Sequence, residues 1–162
     1  MAAHWTVKHR DQHYGYKNHV NVEKQHELIR RYTVTNAAAD DSQALETVLQ
    51  SASAGRGVRA DSVYRSQEPE ALLKRQHLRS HIQEKGYRGK PLASHQKARN
   101  RRRARTSVRL EQVFGHQVTA IGGKRIRTIG VIRAWDKIGL NNLAYNFQRV
   151  RFLTATSPHQ MA

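Results

Sequence analysis

The sequence contains no cysteine, so disulfides and thiolate metal centres are excluded. No apolar run approaches the roughly 20 residues that a membrane-spanning helix requires. Met1-Ala2-Ala3-His4-Trp5 carries no apolar segment of the signal-peptide kind. These absences predict a cytoplasmic protein. Apolar residues are scarce too, at 38% of 162, which predicts an exposed, elongated or incomplete domain around one core. No repeat or low-complexity segment is present. Acids are few: 12 Asp and Glu face 29 Lys and Arg, a formal net charge of +17. A charge this far from neutral favours a polyanion partner, because each phosphate neutralised releases counterions. Arginine outnumbers lysine, and its planar guanidinium grips phosphate through paired hydrogen bonds.

The bases are unevenly spread. From Arg88 to Arg109 every charged residue is a Lys or an Arg: Arg88, Lys90, Lys97, Arg99, Arg101, Arg102, Arg103, Arg105 and Arg109. A like-charge block is often a solvated tail. This one runs into a periodic apolar segment, which predicts a helix with a basic face.

The coarse pattern reads as strand, strand, helix, strand, helix, strand, helix, helix. Tyr14–Val22 and Ile29–Thr35 are rich in β-branched and aromatic residues. Asp41 or Ser42 offers an N-cap, and Ala44, Leu45, Val48 and Leu49 follow at helical spacing before Gly55. Gly57–Ala60 and Arg79–Gln83 are short strand candidates. Ser66 with Pro69 marks a helix start. A long helix is expected over Gln96–Val118. A final amphipathic helix is expected through Leu140, Leu143, Ala144, Phe147 and Val150. Such alternation predicts an α/β layer fold. It also reads as a sheet short of its first strand.

Two carboxylates stand out. Asp61 follows a short strand, on the edge where α/β sheets place ligands, although an Asp there commonly serves as a turn or cap residue. Glu111 falls on the long helix among Leu110, Phe114, Val118 and Val108, at about 100° per residue. Arg101, Arg102, Arg105 and Arg109 fall on the other side. A carboxylate directed at a core is costly unless it is paired or holds a metal. A salt bridge to an inward-folding arginine would satisfy it equally. Carboxylate oxygens suit Mg²⁺, and paired metals can clamp an in-line phosphoryl transfer. The ten histidines are dispersed. His77 and His81 are four apart, but no cysteine or nearby acid completes a zinc pattern.

At these residues the chain resembles the DDE transposases of bacterial insertion sequences, of the IS "five" family. The resemblance rests on four segments in order. They are His13-Tyr14-Gly15-Tyr16-Lys17-Asn18-His19-Val20-Asn21-Val22, Ala60-Asp61-Ser62-Val63-Tyr64-Arg65-Ser66, Val108-Arg109-Leu110-Glu111-Gln112-Val113-Phe114-Gly115, and Arg127-Thr128-Ile129-Gly130 with Lys137-Ile138-Gly139-Leu140-Asn141-Asn142-Leu143-Ala144-Tyr145-Asn146.

The resemblance implies an α/β, RNase H-like mixed sheet flanked by helices, with three metal-binding acids. Asp61 would be the second and Glu111 the third, both catalytic and both ligands of Mg²⁺ or Mn²⁺. The first acid would lie upstream of Ala3-His4-Trp5-Thr6. The expectation is therefore a C-terminal half without its first strand, binding metal weakly or not at all and inactive alone. Residues 1–153 would form this partial catalytic domain and 154–162 a disordered tail. Tyr64, Arg65, Lys97, Arg99, Arg101, Arg102, Arg103, Arg105 and Arg109 would contact DNA. The implied partners are insertion-sequence ends and target DNA, together with an N-terminal half or a second copy. The implied location is the bacterial cytoplasm, at the nucleoid.

Departures from the family pattern accompany the match. Ser107 stands where the family usually has an Arg four residues before the glutamate. Glu23 and Asn36 stand where Asp is frequent, and Asp40 where His is common. They read as drift in a remnant frame, or as a second frame that joins an N-terminal partner. The competing reading is a non-catalytic basic DNA binder. An open strand edge further predicts marginal folding or oligomerisation.

Overall fold

The computed structural model describes residues 4–8, 11–49, 55–122, 126–128 and 130–156. In chain order the elements are β1 (His4–Lys8), β2 (Asp11–Val22), β3 (Ile29–Asn36), α1 (Asp41–Leu49) and β4 (Gly57–Val58). A 3₁₀ turn (Ser62–Tyr64) follows, then α2 (Gln67–Arg75), β5 (Arg79–Ser80), α3 (Ser94–Thr119) and α4 (Val131–Thr156). The expected order holds, with β1 added in front. Where one mixed sheet was expected, the strands form two small ones. β1, β2 and β3 make an antiparallel sheet, and β4 with β5 a parallel pair. The chain divides into two compact units, Met1–Ala39 with Gln112–Ala162, and Asp40–Glu111.

In the first unit, β1 pairs with the start of β2, from His4 opposite Gly15 to Lys8 opposite Asp11. β3 pairs with the remainder, from Tyr16 opposite Asn36 to Val22 opposite Ile29. Ile29, Val113 and Tyr145 form a small core, backed by Val20, Val22 and Ile121. α4 begins at Val131, nine residues before the Leu140 at which the sequence pattern places it. The earlier start follows from Ala134 and Ile138, both buried. Gly139 permits close approach to β3, since a Cβ there would strike the Tyr32 hydroxyl.

Polar side chains of α4 hold the hairpin. The Asn146 amide donates to Ile29 O and accepts from Ile29 N, both at 2.9 Å. The Tyr145 hydroxyl donates to Glu27 O and the Arg149 Nε to His26 O. Asn142 Oδ1 accepts from Gln117 Nε2 at 2.7 Å and from Asn18 Nδ2 at 2.9 Å. Asn142 and Gln117 are both buried. Leaving such amides unpaired would cost about 1–3 kcal/mol each. The family-like run Asn141-Asn142-Leu143-Ala144-Tyr145-Asn146 thus has a structural use.

In the second unit, Leu45, Val48 and Leu49 of α1 pack with Leu72, Leu73, Leu78 and Ile82. The cap of α1 is Asp40, ahead of the expected Asp41 or Ser42, with its Oδ1 accepting from Ser42 N at 2.8 Å. α1 ends at Leu49, and residues 50–54 lie outside the described residues. α2 carries Glu68 and Glu70 in its first turn and Lys74 and Arg75 in its last, matching the helix dipole. α3 starts at Ser94, where Gln96 Oε1 accepts from Ala93 N at 2.8 Å, the reciprocal half of a capping box. α4 runs to Thr156, so the first three residues of the expected tail are helical. Residues 157–162 lie outside the described residues.

Candidate active site

Asp61 is placed by the parallel pair. Beyond the paired residues of β4 and β5, the backbone bonding continues through His81 N to Val58 O and Gln83 N to Ala60 O. Asp61 is the next residue, where this ladder releases the chain. Its backbone is extended, and its Oδ1 accepts from Ser62 N at 2.5 Å, capping the 3₁₀ turn. Asp61 is exposed. Among the described residues, its Oδ2 carries no hydrogen bond. The capping role weighed against a functional one in the sequence is therefore real, and it leaves one carboxylate oxygen available.

Tyr64 closes the turn from behind. It is half-buried against the second unit's core. Burial, followed by the charges of Asp41, Asp40 and Asp61, pushes its phenol up to about 12. Arg65 Nη1 donates to Glu70 Oε1 at 2.7 Å, and Ser80 Oγ donates to the same oxygen at 2.8 Å. These two of the nine residues expected to contact DNA are thus engaged within the protein, one in packing and one in an ion pair.

Glu111 departs from the sequence expectation. It is exposed, not directed at the core. Along this stretch of α3 the buried residues are Val113 and Gln117, about 120–160° around the helix from Glu111. Val108, Leu110 and Val118, which defined the expected apolar stripe, are exposed. The helix is oriented by the Gln117 amide on Asn142 and by Val113 in the first unit's core. A periodicity count gives a glutamine no weight as a core residue. Among the described residues, Glu111 has no hydrogen-bond or ion-pair partner.

The basic stretch of α3 is partly anchored and partly free. Glu84, just after Gln83, receives Arg99 Nη2 at 2.8 Å and Gln96 Nε2 at 2.6 Å. Asn100 brackets the Glu84 backbone, accepting from its N–H and donating to its carbonyl. Arg103 donates to Ile82 O at 2.5 Å. Burial alone would raise the Glu84 carboxyl, but the Gln96 hydrogen bond and the Arg99 and Arg103 charges hold it below the usual glutamate value. Lys97, Arg101, Arg102 and Arg105 are exposed and have no partner among the described residues. Arg109 is exposed and engaged elsewhere in the chain.

Asp61 and Glu111 offer the oxygen donors that Mg²⁺ or Mn²⁺ prefers. Among the described residues, however, no group of three or more His, Asp or Glu converges to hold a metal. The donor chemistry fits the ion and the donor number falls short. Among the same residues no helix is long and apolar enough to cross a membrane.

Comparison with known proteins bears on these residues. Residues 2–147 match the family described as "Transposase DDE domain". The chain is also 32% identical over 144 residues to the transposase for insertion sequence element IS1106 of Neisseria meningitidis serogroup B. That similarity covers 89% of this chain and 50% of the relative, so the chain spans about half the relative's length. No solved structure matches significantly. With nearly the whole length of the chain inside the family match, this protein belongs to the transposase DDE domain family.

Proposed function

We propose that this chain supplies the second and third metal-binding acids, Asp61 and Glu111, of an RNase H-like transposase catalytic domain acting on insertion-sequence ends and target DNA. The state of those two carboxylates carries the reading. Bases outnumber acids 29 to 12, and Glu27, Glu46, Glu70 and Glu84 each hold a cation. Asp61 and Glu111 hold none among the described residues, as is also true of Glu68 and Asp136, but Asp61 and Glu111 stand within the family-like segments and belong to the same compact unit. An exposed acid left unpaired amid surplus arginine is available to a metal.

Bound Mg²⁺ or Mn²⁺ would supply Lewis acidity and an activated water for strand cleavage. Lys97, Arg101, Arg102 and Arg105 would bind the phosphate backbone, with Arg99, Arg103 and Arg109 adding field from the same helix. Tyr64 and Arg65 would act indirectly, by holding the turn that presents Asp61. We take the first acid to come from the remainder of a full-length domain. With two acids alone, the metals would be held weakly and the isolated chain would not cleave.

One observation favours a second reading. The surplus of 29 bases over 12 acids, with Lys97, Arg101, Arg102 and Arg105 exposed on α3, would suffice for a DNA-binding regulator or remnant that no longer cleaves. A supercoiled-plasmid nicking assay with Mg²⁺ or Mn²⁺ separates the two. Its arms are the chain alone, the chain with the N-terminal half of a relative, and that mixture carrying Glu111→Gln. Nicking in the mixture alone, abolished by the substitution, is the expected result. Retention of DNA at low salt with no nicking in any arm would establish the non-catalytic reading. Nicking by the chain alone, lost with Glu111→Gln, would show that no further acid is needed.

A further inference from the structure

Arg59, His81, Arg99, Arg102, Arg103 and Thr106 line a pocket of about 280 Å³. All six belong to the unit Asp40–Glu111. They come from three places in the sequence: the end of β4, the residue after β5, and successive turns of α3. We propose that this pocket is a binding site for a single phosphate group, a phosphodiester of the DNA backbone under the function proposed above. Nothing in the Asp61 or Glu111 chemistry requires it.

The charge balance is the first argument. Four arginines line the pocket, and no acid lines it. Glu84 compensates Arg99 and lies 3.9 Å from Arg103. Arg59 and Arg102 have no partner among the described residues. Converging cations repel one another, and a bound anion relieves that repulsion. The second argument is preorganisation. Arg103 is only 20% exposed and is fixed on Ile82 O, while Arg99 is fixed on Glu84. Anchored guanidiniums lose little freedom when an anion arrives. The Thr106 hydroxyl adds a neutral donor on the same helix face.

His81 is the third argument. Its ring lies over Gly57, where a Cβ would come within 2.7 Å of Cδ2. The charged groups around it are Arg59 beyond β4, Arg79 on β5, and Arg99, Arg102 and Arg103 on α3. Burial first, then Arg59, Arg103 and Arg79, push its pKa down. A phosphate in the pocket would reverse the charge contribution and make the imidazolium a further donor.

The His81 ring is therefore also the reporter. Its resonances are followed by NMR in the whole chain and identified by their loss in His81→Gln. The probes are inorganic phosphate and, separately, a short DNA duplex. Phosphate is expected to move the His81 resonances saturably and raise their pH midpoint. Arg59→Gln and Arg102→Gln should each weaken that binding about tenfold, as expected for a charged hydrogen bond. Lys74→Gln, at an exposed base outside the pocket and outside α3, should not. The duplex should produce the same displacement. Phosphate moving His81 no more than the exposed His95 would overturn the site, even if DNA binds elsewhere. Saturable phosphate binding with no displacement by DNA would keep the site and refute the backbone as its ligand. DNA binding with displacement of His81, the displacement lost in Arg59→Gln with Arg102→Gln, would establish the full proposal.

Discussion

Gly139 stands in the middle of α4, where glycine is about 1 kcal/mol worse than alanine by helix propensity alone. Its place is explained by Tyr32, whose hydroxyl would meet any Cβ there. The Tyr32 ring is held in turn by Trp135, at 5.5 Å between centroids. Overpacking of this kind costs about 1–3 kcal/mol and outweighs the propensity gain. Gly139→Ala is therefore expected to lower the urea midpoint. The loss should shrink when Tyr32→Phe removes the hydroxyl oxygen. An unchanged midpoint in the single variant would mean that α4 does not approach β3 at this residue. The neighbouring Asn142 makes a similar point for polar groups. A motif of amides that reads as a functional signature serves here to fasten a helix to a hairpin.

At the scale of the element, α3 is one helix doing two things. Its C-terminal turns bury Val113 and Gln117, while its N-terminal turns are tied to the Glu84 segment and otherwise present bases to solvent. That tie is pH-dependent. The Glu84 carboxyl sits below its ordinary value of 4.5, so it favours the folded state above that pH. The contribution is lost as pH falls through the folded-state value. Native-state hydrogen exchange should show the amides around Asn100 and Arg103 opening as pH drops below about 4.5. Glu84→Gln should open them already at neutral pH and flatten that dependence. Protection insensitive to both changes would place the anchor elsewhere, for instance in the cap made by Gln96.

At the scale of the molecule, 29 bases against 12 acids predict DNA binding dominated by counterion release. The logarithm of the association constant should fall linearly with the logarithm of salt concentration. Neutralising Arg101 or Arg105 should each reduce that slope by about 0.9. Both are exposed and unpartnered among the described residues, so their guanidiniums are available. Filter binding from 50 to 300 mM salt is the measurement, a range set by about where such contacts weaken. A slope indifferent to both substitutions would place the DNA path away from α3.

Much of this was legible in the sequence. The helix and strand order followed from apolar spacing and turn residues, because those act locally. The family followed from four ordered motifs. Asp61 at a strand end was readable because strand and turn signals lie beside it. What the sequence could not decide was direction. Glu111 reads as core-facing because Leu110, Phe114 and Val118 flank it, yet α3 is oriented by the Gln117–Asn142 hydrogen bond across 25 residues. The sequence likewise did not show that Tyr64 packs on the second unit's core or that Arg65 pairs with Glu70. Arg59 and His81 join the α3 arginines only through the parallel pairing of β4 with β5. Local propensity determines which elements form. Long-range packing and hydrogen bonding determine which face of each element meets solvent, and here that decides which charges remain free for chemistry.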